Sequence, residues 1–304
     1  MSAKRSVIAV LALVLSAGLS SCGSGGNPSG ENGKALPTVV ASTDVWGSVA
    51  ESVAGDDAKV TSIITSGAAD PHSFEASPAD VAALTDASLV VYNGGGYDQW
   101  VSLVLANHAE IPTVDAYALL DRESIGEQRP NEHVFYDIDT AKAVAGRIAE
   151  ELAAKNPDKA AEYRSRAEEF ARRADTLQLK ERAAGAGQPG TAVVATEPVA
   201  HYLLTTAGLV DKTPAGFTTA IEQDTDPAAV DVAAMLDLIN NREVAVLLYN
   251  EQTATEATRK VRAAAEASGV PVVTITETLP AGSDYLTWQS DTTERLAAAL
   301  RQNP

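Results

Sequence analysis

The sequence predicts an α/β protein of two parallel-sheet lobes bridged by a long rigid α-helix. Three observations carry this expectation. Short β-branched runs alternate with helical patterns over residues 38–137. The alternation then stops for a stretch of almost purely helix-forming sequence, residues 138–188. It resumes over residues 189–304. Strand and helix alternating at this spacing argue for parallel βαβ units, because parallel neighbours need a crossover and a helix supplies it.

The chain opens with MSAKRSVIAVLALVLSAGLSSC. A basic start at Lys4 and Arg5, an apolar run and then small residues read as an export signal over residues 1–21. The run is interrupted and short for a transmembrane helix. Leu19-Ser20-Ser21-Cys22 resembles the bacterial lipobox, in which the Cys becomes the lipid-modified first residue of the mature chain. Cys22 is the one cysteine of the sequence, so it makes no internal disulfide. The Gly, Ser, Asn and Pro mixture that follows reads as a flexible tether over residues 22–37. The expected location is extracytoplasmic, with the body anchored to the cell membrane through lipidated Cys22.

In the first lobe TVVAST (38–43) precedes the helix-like VWGSVAESVAG. VTSII (60–64) precedes a proline-flanked loop that carries His72. Ser77-Pro78-Ala79-Asp80 then starts a helix: Ser caps, Pro takes the first helical position, and Asp favours the first turn. SLVVYN (88–93) leads into GGGYDQWVSLVLANH. In the connector, Asn156-Pro157-Asp158 divides two helical halves. The second half, 157–184, runs for roughly 28 residues without a breaker, on the order of 40 Å of helix. In the second lobe TAVVAT (191–196), VAVLLYN (244–250) and PVVTIT (271–276) each precede a helical pattern.

Ligands of open parallel sheets bind beyond the carboxyl ends of the strands. The residues at those exits are Asp44 with Trp46, His72, Asn93, Glu197, Asn250 and Glu277. His133 joins them from RPNEHVFYD, the segment leaving the first lobe. Two imidazoles and two carboxylates suit a divalent transition metal. Each also has a plainer reading: a loop histidine bonded to backbone, an acid at a helix start, turn chemistry in YNGGGYD. His201, four residues after Glu197, reads as a rim or structural residue. His108, at a helix end, reads as a C-terminal cation or a solvated side chain. The net charge of −18 argues against nucleic acid, which needs a basic footprint. HExxH, paired CxxC, EF-hand and P-loop patterns are missing from the sequence.

Taken in order, DPHSFEASPAD, VVYNGGGYDQW, NEHVFYD, TEPVAHYL and TITETLP around a long helix resemble the zinc/manganese-binding solute-binding lipoproteins of bacterial ABC importers. The resemblance runs from Thr38 to about Leu300. It implies a metal site in the cleft between the lobes, with His72 and His133 as imidazole ligands and Glu197 and Glu277 as carboxylate ligands. The family more usually has Asp at the fourth position, so Asp284 is held as an alternative. Trp46, Asn93, Asn250 and His201 would support the ligands. A His-rich loop found in many zinc-specific members would fall between Asn93 and His133; this sequence has His108 there and no such loop.

The implied function is a monomeric receptor that captures Zn or Mn, with Fe behind them, and passes it to a membrane permease driven by a separate cytoplasmic ATPase. It is not expected to be an enzyme, since catalytic zinc keeps a position open for water. The competing readings are a secreted metallohydrolase with Glu197 or Glu277 as general base, and a receptor for an organic solute. A role in cell adhesion is compatible with metal capture.

Overall fold

The computed structural model describes residues 35–65, 67, 71–121, 130–223 and 225–302. The expected export signal, Cys22 and most of the expected tether lie outside the described residues.

The first lobe alternates β1 (Thr38–Thr43), α1 (Asp44–Ala54), β2 (Lys59–Ile64), α2 (Pro78–Thr85), β3 (Leu89–Tyr92), α3 (Gln99–Leu105) and β4 (Thr113–Asp115). Its strands pair in parallel in the order β2-β1-β3-β4. α2 starts as its sequence says it should. The Ser77 hydroxyl accepts from Asp80 N, and the Asp80 carboxylate accepts from Ser77 N at 2.8 Å, a reciprocal capping box.

The connector is a helical hairpin. α4 (Ile138–Lys155) is capped by Asp137, and a short 3-10 turn over Pro157–Lys159 leads into α5 (Ala160–Gly185). The second lobe holds β5 (Ala192–Ala195), α6 (His201–Thr206), β6 (Val210–Asp211), α7 (Ala215–Glu222), α8 (Ala229–Asn240), β7 (Leu247–Asn250), α9 (Glu256–Ser268), β8 (Val272–Ile275) and α10 (Tyr285–Gln302). Its parallel order, β6-β5-β7-β8, repeats that of the first sheet.

Alternation along the strands shows how both lobes share one core. Val39 and Ala41 of β1 and Val193 and Ala195 of β5 face a single cluster that also takes in Tyr163 and Phe170 of α5 and Trp288 and Leu296 of α10. Val40 and Val194 point the other way, into smaller clusters under the outer helices. Strands buried on both faces read as continuous apolar runs, which is why they were visible in the sequence.

Hydrogen bonds add to the connector as ties between the lobes. Tyr285 Oη and Gln289 Nε2 both donate to Phe135 O, at 2.8 and 3.0 Å. Tyr136 Oη donates to Thr276 O at 3.0 Å, and Leu279 N donates to Asp44 Oδ1 at 3.0 Å. α10 therefore returns from the second lobe to brace the first, which the sequence did not reveal.

Candidate metal centre

Each side chain of the centre arrives from a strand exit or a segment braced by one. Asn93 follows β3, where three glycines with positive φ let the backbone turn sharply. A Cβ on Gly94 would fall 2.2 Å from Asp115 Oδ1, so glycine is required there on steric grounds as well. The buried Asp98 carboxylate closes this turn by accepting from Asn93 N at 2.7 Å and Gly94 N at 2.8 Å. The turn seats the Tyr97 ring against both imidazoles, with centroids 4.6 Å from His72 and 5.7 Å from His133.

Asn93 itself holds two segments. Its Oδ1 accepts from Trp46 Nε1 at 3.2 Å, and its Nδ2 donates to Glu132 O at 2.8 Å. It thus fixes the backbone immediately before His133. His133 is fully buried. Its backbone N–H donates to Asn131 Oδ1 at 2.8 Å, and its Nδ1 lies 3.0 Å from the same oxygen. Asn131 Nδ2 donates to Pro198 O at 3.2 Å, which orients the amide with Oδ1 toward the ring. An acceptor facing Nδ1 assigns the ring proton to that nitrogen and leaves the lone pair on Nε2.

His133 Nε2 is buried and has no hydrogen-bond partner among the described residues. It lies 3.7 Å from Glu277 Oε2, and His72 Nε2 lies 3.7 Å from that same oxygen. Burial, reinforced by the nearby His72 and His201 rings, pushes the His133 pKa well below the usual 6.5. The imidazole is therefore neutral at pH 7, the form that ligates metals. Candidate ligand atoms of His72, His133 and Glu277 all lie within 4.8 Å of one another. Ligands about 2.1 Å from a tetrahedral ion stand about 3.4 Å apart, close to the 3.7 Å that separates each imidazole Nε2 from Glu277 Oε2.

Glu277 follows β8 and is fully buried. Its backbone N–H donates to Gln252 Oε1 at 2.6 Å. Glu197 follows β5 in extended conformation and is also buried. One amide links the two acids: Asn250 Nδ2 donates to Glu197 Oε2 and to Glu277 Oε1, both at 2.7 Å. Thr253 Oγ1 adds a 2.6 Å bond to Glu197 Oε2. Glu197 thus stands beside the group of three, tied to it through Asn250.

Asp284, held as the alternative ligand, is not in the group of His72, His133 and Glu277. It is exposed, and its carboxylate accepts from Thr287 N at 2.8 Å at the start of α10. It lines a different cavity, of about 690 Å³, with Asp44, Ser48 and Glu51. Helix capping explains an acid at that position. His201 is exposed and packs edge-on against Tyr202, whose hydroxyl donates to Asn131 O at 2.6 Å. His108 pairs with Glu110 at 3.3 Å on the surface. Asn131, Tyr97, Gln252 and Thr253 were not singled out from sequence. Asn131, two residues before His133, carried the one local signal.

The model of the zinc-uptake complex component A periplasmic family, ZnuA, matches residues 39–299. The chain belongs to this family. The ZnuA match spans both lobes, the connector and every residue of the centre. A curated relative is the manganese-binding lipoprotein MntA of Halalkalibacterium halodurans, 29% identical over 181 residues, 58% of this chain and 56% of the relative. The chain spans about half the length of the curated relatives it matches. Among solved structures, the periplasmic zinc-binding protein TroA from Treponema pallidum superposes with a TM-score of 0.76 at 21% identity, covering 87% of this chain and 99% of TroA. The laminin-binding protein Lmb of Streptococcus agalactiae, described as having adhesin and metal-transporting activity, gives a TM-score of 0.74 at 24% identity, covering 87% of this chain and 99% of Lmb. At these identities the solved structures speak for the fold, which is the two-lobed α/β architecture expected of a ZnuA-family chain.

Proposed function

We propose that this chain captures one divalent transition-metal ion between its lobes and delivers it to the membrane permease of an ABC importer. One observation carries the reading. Two imidazole nitrogens, one buried with its lone pair directed by Asn131, stand 3.7 Å from the same oxygen of a buried carboxylate. In this reading His72 Nε2, His133 Nε2 and Glu277 bind the ion, and Glu197 supplies a fourth ligand. The two carboxylates carry the charge that a dication neutralises, and the two imidazoles add nitrogen donors. A complete set of protein ligands suits capture and release, whereas catalysis by zinc keeps a site for water. The chain is then a receptor and not an enzyme.

Membership of an uptake family and the manganese-binding relative support metal as cargo. Zinc binds a given site more tightly than manganese, while the two carboxylates make this site harder than one of three imidazoles. Both ions therefore belong in the reading, with Fe²⁺ behind them. Residues 1–21 would be removed on export, and Cys22 would carry the lipid that holds a monomeric body at the extracytoplasmic face through the 22–37 tether. The lobes would be 38–137 and 189–304, with 138–188 between them. The ATPase would be a separate chain. Elemental analysis of purified protein, with competitive Zn²⁺ and Mn²⁺ titration of the chelator-stripped form, tests the proposal. One ion per chain is expected; no binding of Zn²⁺, Mn²⁺ or Fe²⁺ would overturn it.

A further inference from the structure

We infer that Asn250 is the positioning residue of the centre: one neutral amide that holds both carboxylates, Glu197 and Glu277, in place for a shared cation. The inference rests on the metal-capture reading and extends it to a residue that touches no metal. Asn250 is fully buried at the end of β7. Its orientation is fixed by chemistry. Gln252 N donates to Asn250 Oδ1 at 3.0 Å, so the other end of the amide, with its two N–H donors, faces the acids. Each donor serves a different carboxylate, at 2.7 Å in both cases. Its backbone N–H donates to Thr196 Oγ1 at 3.0 Å, which anchors the residue to the exit of β5.

Two carboxylate oxygens gathered around one point repel each other in a buried setting. An N–H between each oxygen and the shared nitrogen turns that repulsion into two charge-assisted hydrogen bonds. The neutrality of the amide matters as much as its donors. A Lys or Arg in its place would also hold the acids, but its charge would compete with the incoming cation. Asn250 instead gathers the negative charge and leaves it for the metal. It also sorts the oxygens of Glu277: Oε1 is committed to the amide, and Oε2 is the oxygen 3.7 Å from both imidazoles. The turn that follows serves the same end, with Gln252 on Glu277 N and Thr253 on Glu197.

The test compares wild type with Asn250→Asp, Asn250→Ala and Thr253→Val. Asp keeps the shape of Asn but replaces the two donors with an acceptor and adds a charge. Competitive titration with Zn²⁺ and Mn²⁺ gives the affinities, and the visible absorption of bound Co²⁺ reports the coordination. Asn250→Asp and Asn250→Ala should each weaken binding by at least about tenfold and alter the Co²⁺ spectrum, as loss of an orienting partner does. Thr253→Val, which removes one donor from Glu197 alone, should weaken binding less. A residue that merely packs would lower the apo melting temperature and leave affinity and spectrum as in wild type; that result overturns the inference. If the Asp variant does not fold, the Ala variant decides on the same two readouts, and if neither folds, Asn250→Ser decides on them: weakened binding with an altered Co²⁺ spectrum supports the clamp, and wild-type affinity and spectrum overturn it. Wild type that binds no metal would overturn the capture reading itself, a result distinct from a wild type that binds and variants that match it.

Discussion

Asn93 and Asn250 stand at the exits of β3 and β7, strands that hold the same place in the orders β2-β1-β3-β4 and β6-β5-β7-β8. In the first lobe the amide bonds neutral groups, the Trp46 indole and the Glu132 carbonyl, and so braces the segment that carries His133. In the second lobe the amide bonds two carboxylates. One topology thus presents imidazoles from one side of the cleft and negative charge from the other. Strand order sets where side chains emerge, while the residues around each exit decide whether the emerging group is neutral or charged.

If the lobes divide the work in this way, the largest effect belongs to the acid facing both rings. Glu277→Ala should weaken Zn²⁺ and Mn²⁺ binding by about a hundredfold or more, roughly 2.7 kcal/mol. Glu197→Ala should cost less, because Glu197 stands outside the group of three. Equal losses in a competitive titration would break the comparison. On the imidazole side, Asn131→Ala removes the acceptor that holds the His133 proton on Nδ1. A loss of roughly tenfold is expected, with the ring present but free to take the other tautomer. Nitrogen-15 chemical shifts of the His133 ring in the apo protein would report that tautomer directly.

The connector gives a smaller and purely structural contrast. Glu181 of α5 is fully buried, and neither of its carboxylate oxygens has a hydrogen-bond partner among the described residues. Burial, with Asp137 and Asp139 nearby and Arg182 acting in the opposite sense, pushes its pKa up to about 8. The folded chain therefore holds a proton that the unfolded chain releases near the ordinary glutamate value of 4.5. Stability from this group is present below about pH 4.5 and is lost as pH rises through about 8. Glu181→Gln should raise the melting temperature at about pH 8.5 and change it little at about pH 4.5. A stabilisation equal at both values would contradict the assignment. Smallest of all is Asp284→Ala, which should leave metal affinity within about twofold of wild type because its carboxylate caps α10.

The parts of the fold that were legible had long local signals. β1, β3, β5, β7 and β8 are apolar runs with at least half of their residues buried, β2 is a half-exposed edge strand carrying Val60, Ile63 and Ile64, and α2 announced itself through Ser77, Pro78 and Asp80. β4 and β6 were missed because Thr113–Asp115 and Val210–Asp211 are too short to show a period. α7 and α8 were missed because each buries only an i, i+4 pair, Phe217 with Ile221 and Met235 with Ile239. At the site, strand-exit reasoning named Asp44 with Trp46, His72, Asn93, Glu197, Asn250 and Glu277, and the segment RPNEHVFYD added His133. It did not reach the roles of Asn131 or Tyr97, which depend on a ring orientation and a turn. Nor did it foresee that α10 bonds back to Phe135, because a contact across 150 positions leaves no local pattern.

That bracing bears on motion. A shared core and hydrogen bonds at Phe135, Thr276 and Asp44 oppose a wide hinge. Scattering profiles of metal-free and loaded protein should nearly superimpose, with change confined to the segments around His72 and Glu197. A large fall in radius of gyration on loading would show that the lobes move as separate bodies.

The division of labour between the lobes is tested most directly by anomalous diffraction from crystals of metal-loaded protein, recorded at the zinc and manganese edges. One strong peak per chain is expected, about 2.0–2.2 Å from His72 Nε2, His133 Nε2 and a Glu277 oxygen. Asn250 Nδ2 should remain bonded to Glu277 Oε1 and to Glu197. A peak held by carboxylates alone, or one in the cavity lined by Asp44 and Asp284, would contradict that division.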